Sequence, residues 1–350
     1  MNRAAISALT AAVLFGMSTP LAKLLVASVH PVMLAGMLYL GSGAGLAVVL
    51  LLRKRYCDTV AQTFSLPKGR EVGWLVGAIA FGGIAGPVLL FFGLQSTAAS
   101  TASLLLNLES AFTALFAWFM FGEHFDRRIA LGMGLIVVGG LALSWSPSGA
   151  LEMTTGLLLI VAACACWAMD NNLTRRVSAN DAVAIACAKG LVAGTFNFLL
   201  ALALGEALPG PSGVAAAAAI GFLGYGVSLV LFVIALRGLG TGRTGAYFSI
   251  APFAGAVLGM LVNGDAFTVQ LALAGLLMAA GVWLHLSERH EHVHEHPAQR
   301  HFHLHTHDVH HQHPHPPGVD LNLPHAHEHV HEPLTHAHAH FPDVDHRHQH

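Results

Sequence analysis

Apolar residues in this chain come in long runs, not in alternation. Up to about residue 286 the sequence is a series of largely uncharged stretches joined by short polar links. A helix needs about 20 apolar residues to cross the ~30 Å hydrocarbon core of a bilayer. Ten stretches fit: Ala4–Val26, Pro31–Leu52, Val72–Leu94, Thr97–Phe121, Ile129–Trp145, Thr155–Asn171, Asp181–Leu204, Gly213–Ala235, Thr244–Val262 and Phe267–His285. They are called spans 1 to 10 below. The pattern predicts an all-α integral membrane protein with ten transmembrane helices. Span 1 is long, carries Pro20 and Lys23 and lacks a convincing small-residue cleavage site, so it reads as a retained helix and not a signal peptide.

Composition agrees with a lipid environment. The 350 residues are 54% hydrophobic and 10% charged, whereas soluble domains carry about 25% charged residues. Charge also sets orientation. Fifteen of the 17 Lys and Arg residues fall on one side of the predicted spans, and only Lys23 and Lys189 lie inside them. The positive-inside rule makes the basic side cytoplasmic. Both termini are then inside a cell (inner) membrane, which requires an even number of spans. Cys164, Cys166 and Cys187 lie in spans and Cys57 in a cytoplasmic link, so reduced thiols are expected.

The chain repeats itself. Phe91–Leu143 resembles Phe232–Leu284. Ala111-Phe112 aligns with Pro252-Phe253, Gly122-Glu123 with Gly264-Asp265, and Gly139 with Gly281. Phe15-Gly16 and Lys23 align with Trp167-Ala168 and Arg175. The expected domains are a first five-helix repeat over 4–145, a second over 154–286, and a polar tail over 289–350. Five spans is an odd number, so the second repeat is inverted in the membrane. Inverted repeats mark secondary transporters, whose sites lie near the midplane at the repeat interface.

The stretch LLNLESAFTALFAWFMFGE, echoed as YFSIAPFAGAVLGMLVNGD, resembles the EamA-domain family of the drug/metabolite transporter superfamily. Ala165–Ser178 (ACWAMDNNLTRRVS) looks like the start of that family's second half. The resemblance covers about residues 4–286. It implies a ten-helix carrier with a central cavity open alternately to each side, and export of small metabolites such as amino acids. It also implies that spans 5 and 10 are peripheral and suited to homodimer contact. The tail lies outside the family's usual domain.

Several residues inside the spans carry chemistry. Glu109 is the one formal charge of span 4, near its midpoint. A carboxylate there should face the protein interior or a water-filled cavity, where it can bind a substrate amine or a proton. Alternatively it is structural, paired with Lys189 or capped by Asn107 and Ser110. Lys189 is either its counter-ion, a ligand for a substrate carboxylate, or a side chain reaching back to the cytoplasmic interface. Asp170 and Asn171 end span 6, in the substrate or proton pathway or in a surface ion pair with Arg175 and Arg176. Lys23 reads as an interfacial side chain. Pro20, Pro87 and Pro252 break backbone hydrogen bonds inside spans; Pro20 and Pro252 are gating hinges or static kinks. The pairs Gly41/Gly45, Gly73/Gly77 and Gly82/Gly86 read as close-packing positions.

From His290 on, 61 residues contain 22 histidines. Many alternate as His-x-His: His292, His294 and His296; His301, His303, His305 and His307; His325, His327, His329 and His331; His336, His338 and His340. The segment has few large apolar residues, so disorder is expected. Imidazole suits Zn, Ni, Co and Cu, and residues i and i+2 of an extended chain share a side, so weak multi-site binding of divalent metal ions is expected. The other reading is a solubilising tail whose charge grows as pH falls through the histidine range.

The expected partners are the lipid bilayer, a small-molecule substrate and divalent metal ions, with no nucleic acid and no required cofactor. No nucleophile–base set, phosphate loop or nucleotide motif occurs, so neither an enzyme nor an ATP-driven pump is expected. The expected function is secondary transport that exports a small, amino acid-like metabolite by alternating access. The alternative is a transition-metal or metal-chelate transporter fed by the tail, although no span pairs His, Asp or Glu at helical i, i+4 spacing. A third reading is a membrane-anchored metal-binding or signalling protein.

Overall fold

A computed structural model of the chain describes residues 3–56, 67–121, 127–145, 154–177, 180–232, 234–235, 244, 247–286, 290–296, 299–305, 325–331 and 334–340. Cys57 and His307 lie outside these residues. The chain divides into two compact units, Met1–Glu288 and Arg289–His350.

The first unit is helical. Among the described residues, seven helical stretches are long and apolar enough to cross a membrane: Ala4–Val26, Pro31–Leu52, Arg70–Ser96, Ala99–Met120, Thr155–Arg175, Ala182–Ala203 and Pro211–Phe232. The remaining expected spans are shorter helices, Arg127–Leu143, Ala251–Asn263 and Val269–Leu286. Local chemistry sets several ends. The Thr154 hydroxyl accepts from Leu157 N at 3.3 Å and the Asp181 carboxylate from Ala184 N at 2.8 Å, satisfying first-turn donors. Gly264, at φ 72°, closes Ala251–Asn263 in the left-handed conformation that only glycine adopts cheaply.

The packing follows an approximate twofold relation between repeats. Span 2 lies along span 7 and span 5 along span 10, each pairing one repeat with its counterpart. Span 1 packs on the span 9 helix, as span 6 packs on the second half of span 4. Small residues permit this closeness. A methyl group on Gly16 would collide with the Ala251 carbonyl, one on Gly41 with Ala218, and one on Gly45 with the Phe222 ring. Of the Gly73/Gly77 pair, Gly73 faces open space whereas Gly77 lies against the Leu173 side chain.

The sequence pattern does not show that four spans are irregular. Span 3 contains a π-helical segment, Ile79–Ala85, and span 8 contains another, Gly221–Val227. The Phe91/Phe232 alignment brings the two segments within one residue of each other. Span 4, expected as one continuous helix, divides at Leu106-Asn107 into Ala99–Leu105 and Leu108–Phe121. Span 9 has a matching turn at Ser249-Ile250, just before its helix starts at Ala251. Pro252 therefore sits in the first turn of a helix, where its missing N–H costs nothing, and is not a mid-helix hinge. Pro20 lies inside the uninterrupted helix Arg3–Val26.

Among the described residues of the second unit are four strands: β1 (His290–His296), β2 (Gln299–His305), β3 (His325–His331) and β4 (Leu334–His340). They form two antiparallel pairs, β1 with β4 and β2 with β3. The His-x-His alternation has the period of two that a strand requires. In register, His292 faces His338 and His294 faces His336; in the other pair His301 faces His329 and His303 faces His327.

Candidate functional site

The break in span 4 builds the site. Around it the backbone switches to i→i−3 bonds: Asn107 N donates to Leu104 O at 3.0 Å, Glu109 N to Leu106 O at 3.1 Å and Ser110 N to Asn107 O at 3.1 Å. Two polar side chains take part. Asn107 Nδ2 donates to Leu104 O at 3.0 Å and approaches the Met278 sulfur at 3.8 Å. Ser110 Oγ donates to Asn107 O at 2.7 Å. Local side-chain bonds of this kind compete with the helical ladder. Asn107 and Ser110 thus hold the turn, and neither caps the Glu109 carboxylate as the sequence suggests.

Glu109 opens the second half-helix and is half-buried. Its Oε1 accepts from Asn171 Nδ2 at 2.7 Å, and the same amide reaches Thr113 Oγ1 at 3.3 Å. Asn171 is exposed, although it stands inside the Thr155–Arg175 helix, so this carboxylate lies where solvent or a ligand can reach its partner.

Lys189 is not the counter-ion of Glu109. Its Nζ lies 2.6 and 2.7 Å from the two oxygens of Asp170 and 3.2 Å from Thr174 Oγ1. Thr174 Oγ1 donates to Asp170 Oδ1 at 2.7 Å. Asp170 is 8% exposed, and the pair joins spans 6 and 7. It replaces both the surface pair expected between Asp170 and the following arginines and the interfacial role open to Lys189. One helical turn explains it: Thr174 is four residues beyond Asp170, so both point to the span 7 side.

The first π segment abuts this ion pair. A methyl group on Gly82 would collide with the Asp170 carboxylate. Gly82 O accepts from Tyr39 Oη at 2.7 Å and from Trp167 Nε1 at 3.0 Å, while Gly83 O accepts from Asn197 Nδ2 at 3.2 Å. A π segment leaves its carbonyls outside the ordinary ladder, and side chains from spans 2, 6 and 7 fill the gap. Beyond Tyr39 runs a row of rings. Tyr39 meets Tyr225 at 5.4 Å, Tyr225 meets Phe15 at 5.9 Å, and Phe15 meets Phe248 at 5.4 Å between centroids.

The other end of the bundle is tied shut. Lys23 Nζ donates to Leu94 O and, at 3.1 Å, to Thr97 O, at the carbonyl end of span 3. Asp265 Oδ2 accepts from Ser100 N at 2.7 Å, and Asn263 Nδ2 donates to Pro20 O at 3.1 Å. Lys23 is a bridge between spans, not an interfacial side chain.

The structure therefore brings Glu109, Asn171, Asp170 and Lys189 together. It gives Asn107 and Ser110 structural work, while Pro20 O accepts from Asn263 and Pro252 stands in the first turn of the span 9 helix. Sequence reading missed Thr113, Thr174, Tyr39 and Trp167. Only the small-residue pair Gly82/Gly86 hinted that something packs closely there. Among residues with described side chains, no three His, Cys, Asp or Glu groups gather as a metal site.

Two repeats related by an approximate twofold, broken helices at matching places and a carboxylate at one break define a multi-pass helical transporter. The comparisons with known proteins make this specific. The chain belongs to the EamA-like transporter family, which it matches over residues 2–145 and 154–287. It is 28% identical over 296 residues to an uncharacterized transporter of Methanothermobacter thermautotrophicus, covering 80% of this chain and 84% of that protein. It is 33% identical over 139 residues to the threonine/homoserine exporter RhtA of Escherichia coli K12, covering 39% of this chain and 47% of RhtA. A crystal structure 21% identical in sequence superposes with a TM-score of 0.58 over 80% of this chain and 94% of its own, which shows a shared fold.

Proposed function

We propose that the protein is a secondary transporter that exports a small amine-bearing metabolite, and that Glu109 is its binding carboxylate. The observation that carries this is the placing of Glu109 at the span 4 break with an exposed amide as its hydrogen-bond partner and, among the described residues, no ion pair to a cation. A carboxylate at that depth is costly when bare. It can take a proton or a substrate ammonium, but not both at once. Binding of the ammonium from the cytoplasm releases the proton there. A proton arriving from outside then displaces the ammonium outward, so the carboxylate exchanges one cation for another. The likeness to RhtA over one half of the chain supports an amino acid-like or related cargo. The basic residues support ten spans with both termini cytoplasmic in the inner membrane, and the pairing of spans 5 and 10 leaves an apolar flank suited to a homodimer.

The tail is proposed as an accessory metal site for Zn, Ni, Co or Cu. Its support is the strand register, which sets histidines opposite histidines in both pairs. Removing residues 289–350 is expected to leave metabolite flux intact and to remove most bound metal, read by metal analysis of the purified protein. The test of the main reading is Glu109→Gln in proteoliposomes. Flux is expected to disappear while the melting profile stays that of the wild type. Wild-type flux from this variant sinks the role.

A further inference from the structure

The histidines of the second unit are placed by strand register as well as by spacing. In the β1–β4 pair His290 stands opposite His340, His292 opposite His338 and His294 opposite His336. The β2–β3 pair repeats this plan: His301 stands opposite His329, His303 opposite His327 and His305 opposite His325. Each pair therefore has three successive rungs with histidine at both ends. Residues directly opposite share a face, and so do residues two apart on one strand. The six rung histidines of a pair thus occupy one face, and no position between them is histidine. A slip of one residue would place the histidines of one strand on the other face from their partners.

Distances decide how these positions combine. Residues two apart on a strand are about 6.6–6.8 Å apart, and directly opposite Cβ atoms about 4.5–5.5 Å apart. Two adjacent rungs therefore set four histidine positions at the corners of a rectangle of about 5 by 7 Å. A four-coordinate ion such as Zn²⁺ takes nitrogen donors at about 2.0–2.1 Å, and that bond plus the length of an imidazole side chain spans the rectangle from its corners. One strand's own His-x-His offers only two donors. The two outer rungs are about 13 Å apart, too far to serve one ion. Every placement of an ion on two adjacent rungs therefore uses the middle rung, and each strand pair holds one such ion at a time.

We infer that each strand pair is one composite four-histidine site for a divalent transition-metal ion, built from two adjacent rungs across β1 and β4 or across β2 and β3, with His292–His338 and His303–His327 common to every placement. This sharpens the metal reading of the tail and rests on it. Binding becomes two defined sites instead of many independent His-x-His pairs. Each ion joins segments far apart in the chain, so it favours the paired strands over the unpaired ones by mass action.

The test titrates the full chain in detergent with Zn²⁺ against a weak competing chelator, which outcompetes isolated histidine pairs. Two tightly bound ions per chain are expected, one for each strand pair. His292→Ala should remove one ion and His338→Ala one ion, and the two together still only one, because both break the same site. His292→Ala combined with His303→Ala should remove both ions. His290→Ala should keep both, because the rungs His292–His338 and His294–His336 stay complete. Losses that add for His292 and His338, losses that coincide for His292 and His303, or loss of an ion in His290→Ala overturn the composite sites and leave the tail a metal binder. So does a binding number that falls in proportion to the histidines removed. Equal Zn²⁺ content with and without residues 289–350 removes the metal reading as well.

Discussion

The two repeats share a backbone plan but divide the chemistry unequally. Each has a π segment in its third span and a turn in its fourth. Glu109 at the first turn aligns with Ile250 at the second. Continuing the Phe15/Trp167 alignment, Asp170 corresponds to Ser18, Asn171 to Thr19 and Lys189 to Met37. The charged members thus cluster where span 4 of one repeat meets spans 6 and 7 of the other. Their counterparts are neutral: Ser18, Thr19 and Met37 are buried and Ile250 is exposed, and nearby Gly16 packs against Ala251 and Gly255 against both Gly16 and Ser103. Inverted symmetry supplies two equivalent frames, and the proposed binding carboxylate stands at one of them.

The largest effect on stability that separates the halves should come from the ion pair. Lys189→Met leaves Asp170 charged and buried, and breaking such a pair from one side costs about 3–5 kcal/mol. Asp170→Asn added to Lys189→Met removes the orphan charge and should recover most of the loss. Denaturant or thermal unfolding in detergent reads both. If the double variant is as unstable as the single one, the pair is not the reason Lys189 is needed. Met37, the counterpart of Lys189, is buried beside apolar neighbours, and Met37→Leu should cost less than about 1.5 kcal/mol.

A smaller effect distinguishes the two π segments. Gly221→Ala would drive its methyl into the Leu38 carbonyl, which is backbone. Gly82→Ala would meet the Asp170 carboxylate, a side chain that can move. Overpacking costs about 1–3 kcal/mol where nothing yields. Gly221→Ala should therefore reduce the melting temperature more than Gly82→Ala, and Gly82→Ala should reduce flux more than its stability loss implies, because it displaces Asp170 from Lys189. The reverse order in melting would mean that the side chains around Gly82 are the more rigid.

Much of the fold was legible because span length and loop charge are set by the bilayer, and both are written in composition. Glu109 was legible for the same reason, as a charge where lipid forbids one. The partners were not. Asp170 and Lys189 are 19 residues apart on different helices, and only the rotation of spans 6 and 7 decides that they meet. The break at Leu106-Asn107 was hidden because Asn107 and Ser110 look like ligands for Glu109 yet bond to the backbone. The π segments were hidden because Gly82 and Gly83 announce close packing without saying which carbonyls it frees. In the tail, the phase of the histidines on which the metal reading rests is also the period of the described strands.

The smallest effect tests how firmly the first π segment is held. Among the described residues, no side chain donates to a carbonyl of Gly221–Val227, whereas Gly82 O and Gly83 O have three donors between them. If those donors make span 3 the stiffer of the pair, removing one should loosen it slightly without unfolding it. Tyr39→Phe deletes the hydroxyl and keeps the ring, so Tyr225 keeps its neighbour and no buried donor is orphaned. Gly82 O retains Trp167 Nε1. The cost should be that of one neutral hydrogen bond, about 0.5–1.5 kcal/mol. Hydrogen exchange should then show the amides around Ile79–Ala85 moving towards the protection of Gly221–Val227, with the rest of the bundle unchanged. If exchange at the two segments is already equal in the wild type, the three donors satisfy carbonyls without stiffening the span, and the asymmetry between repeats is one of charge alone.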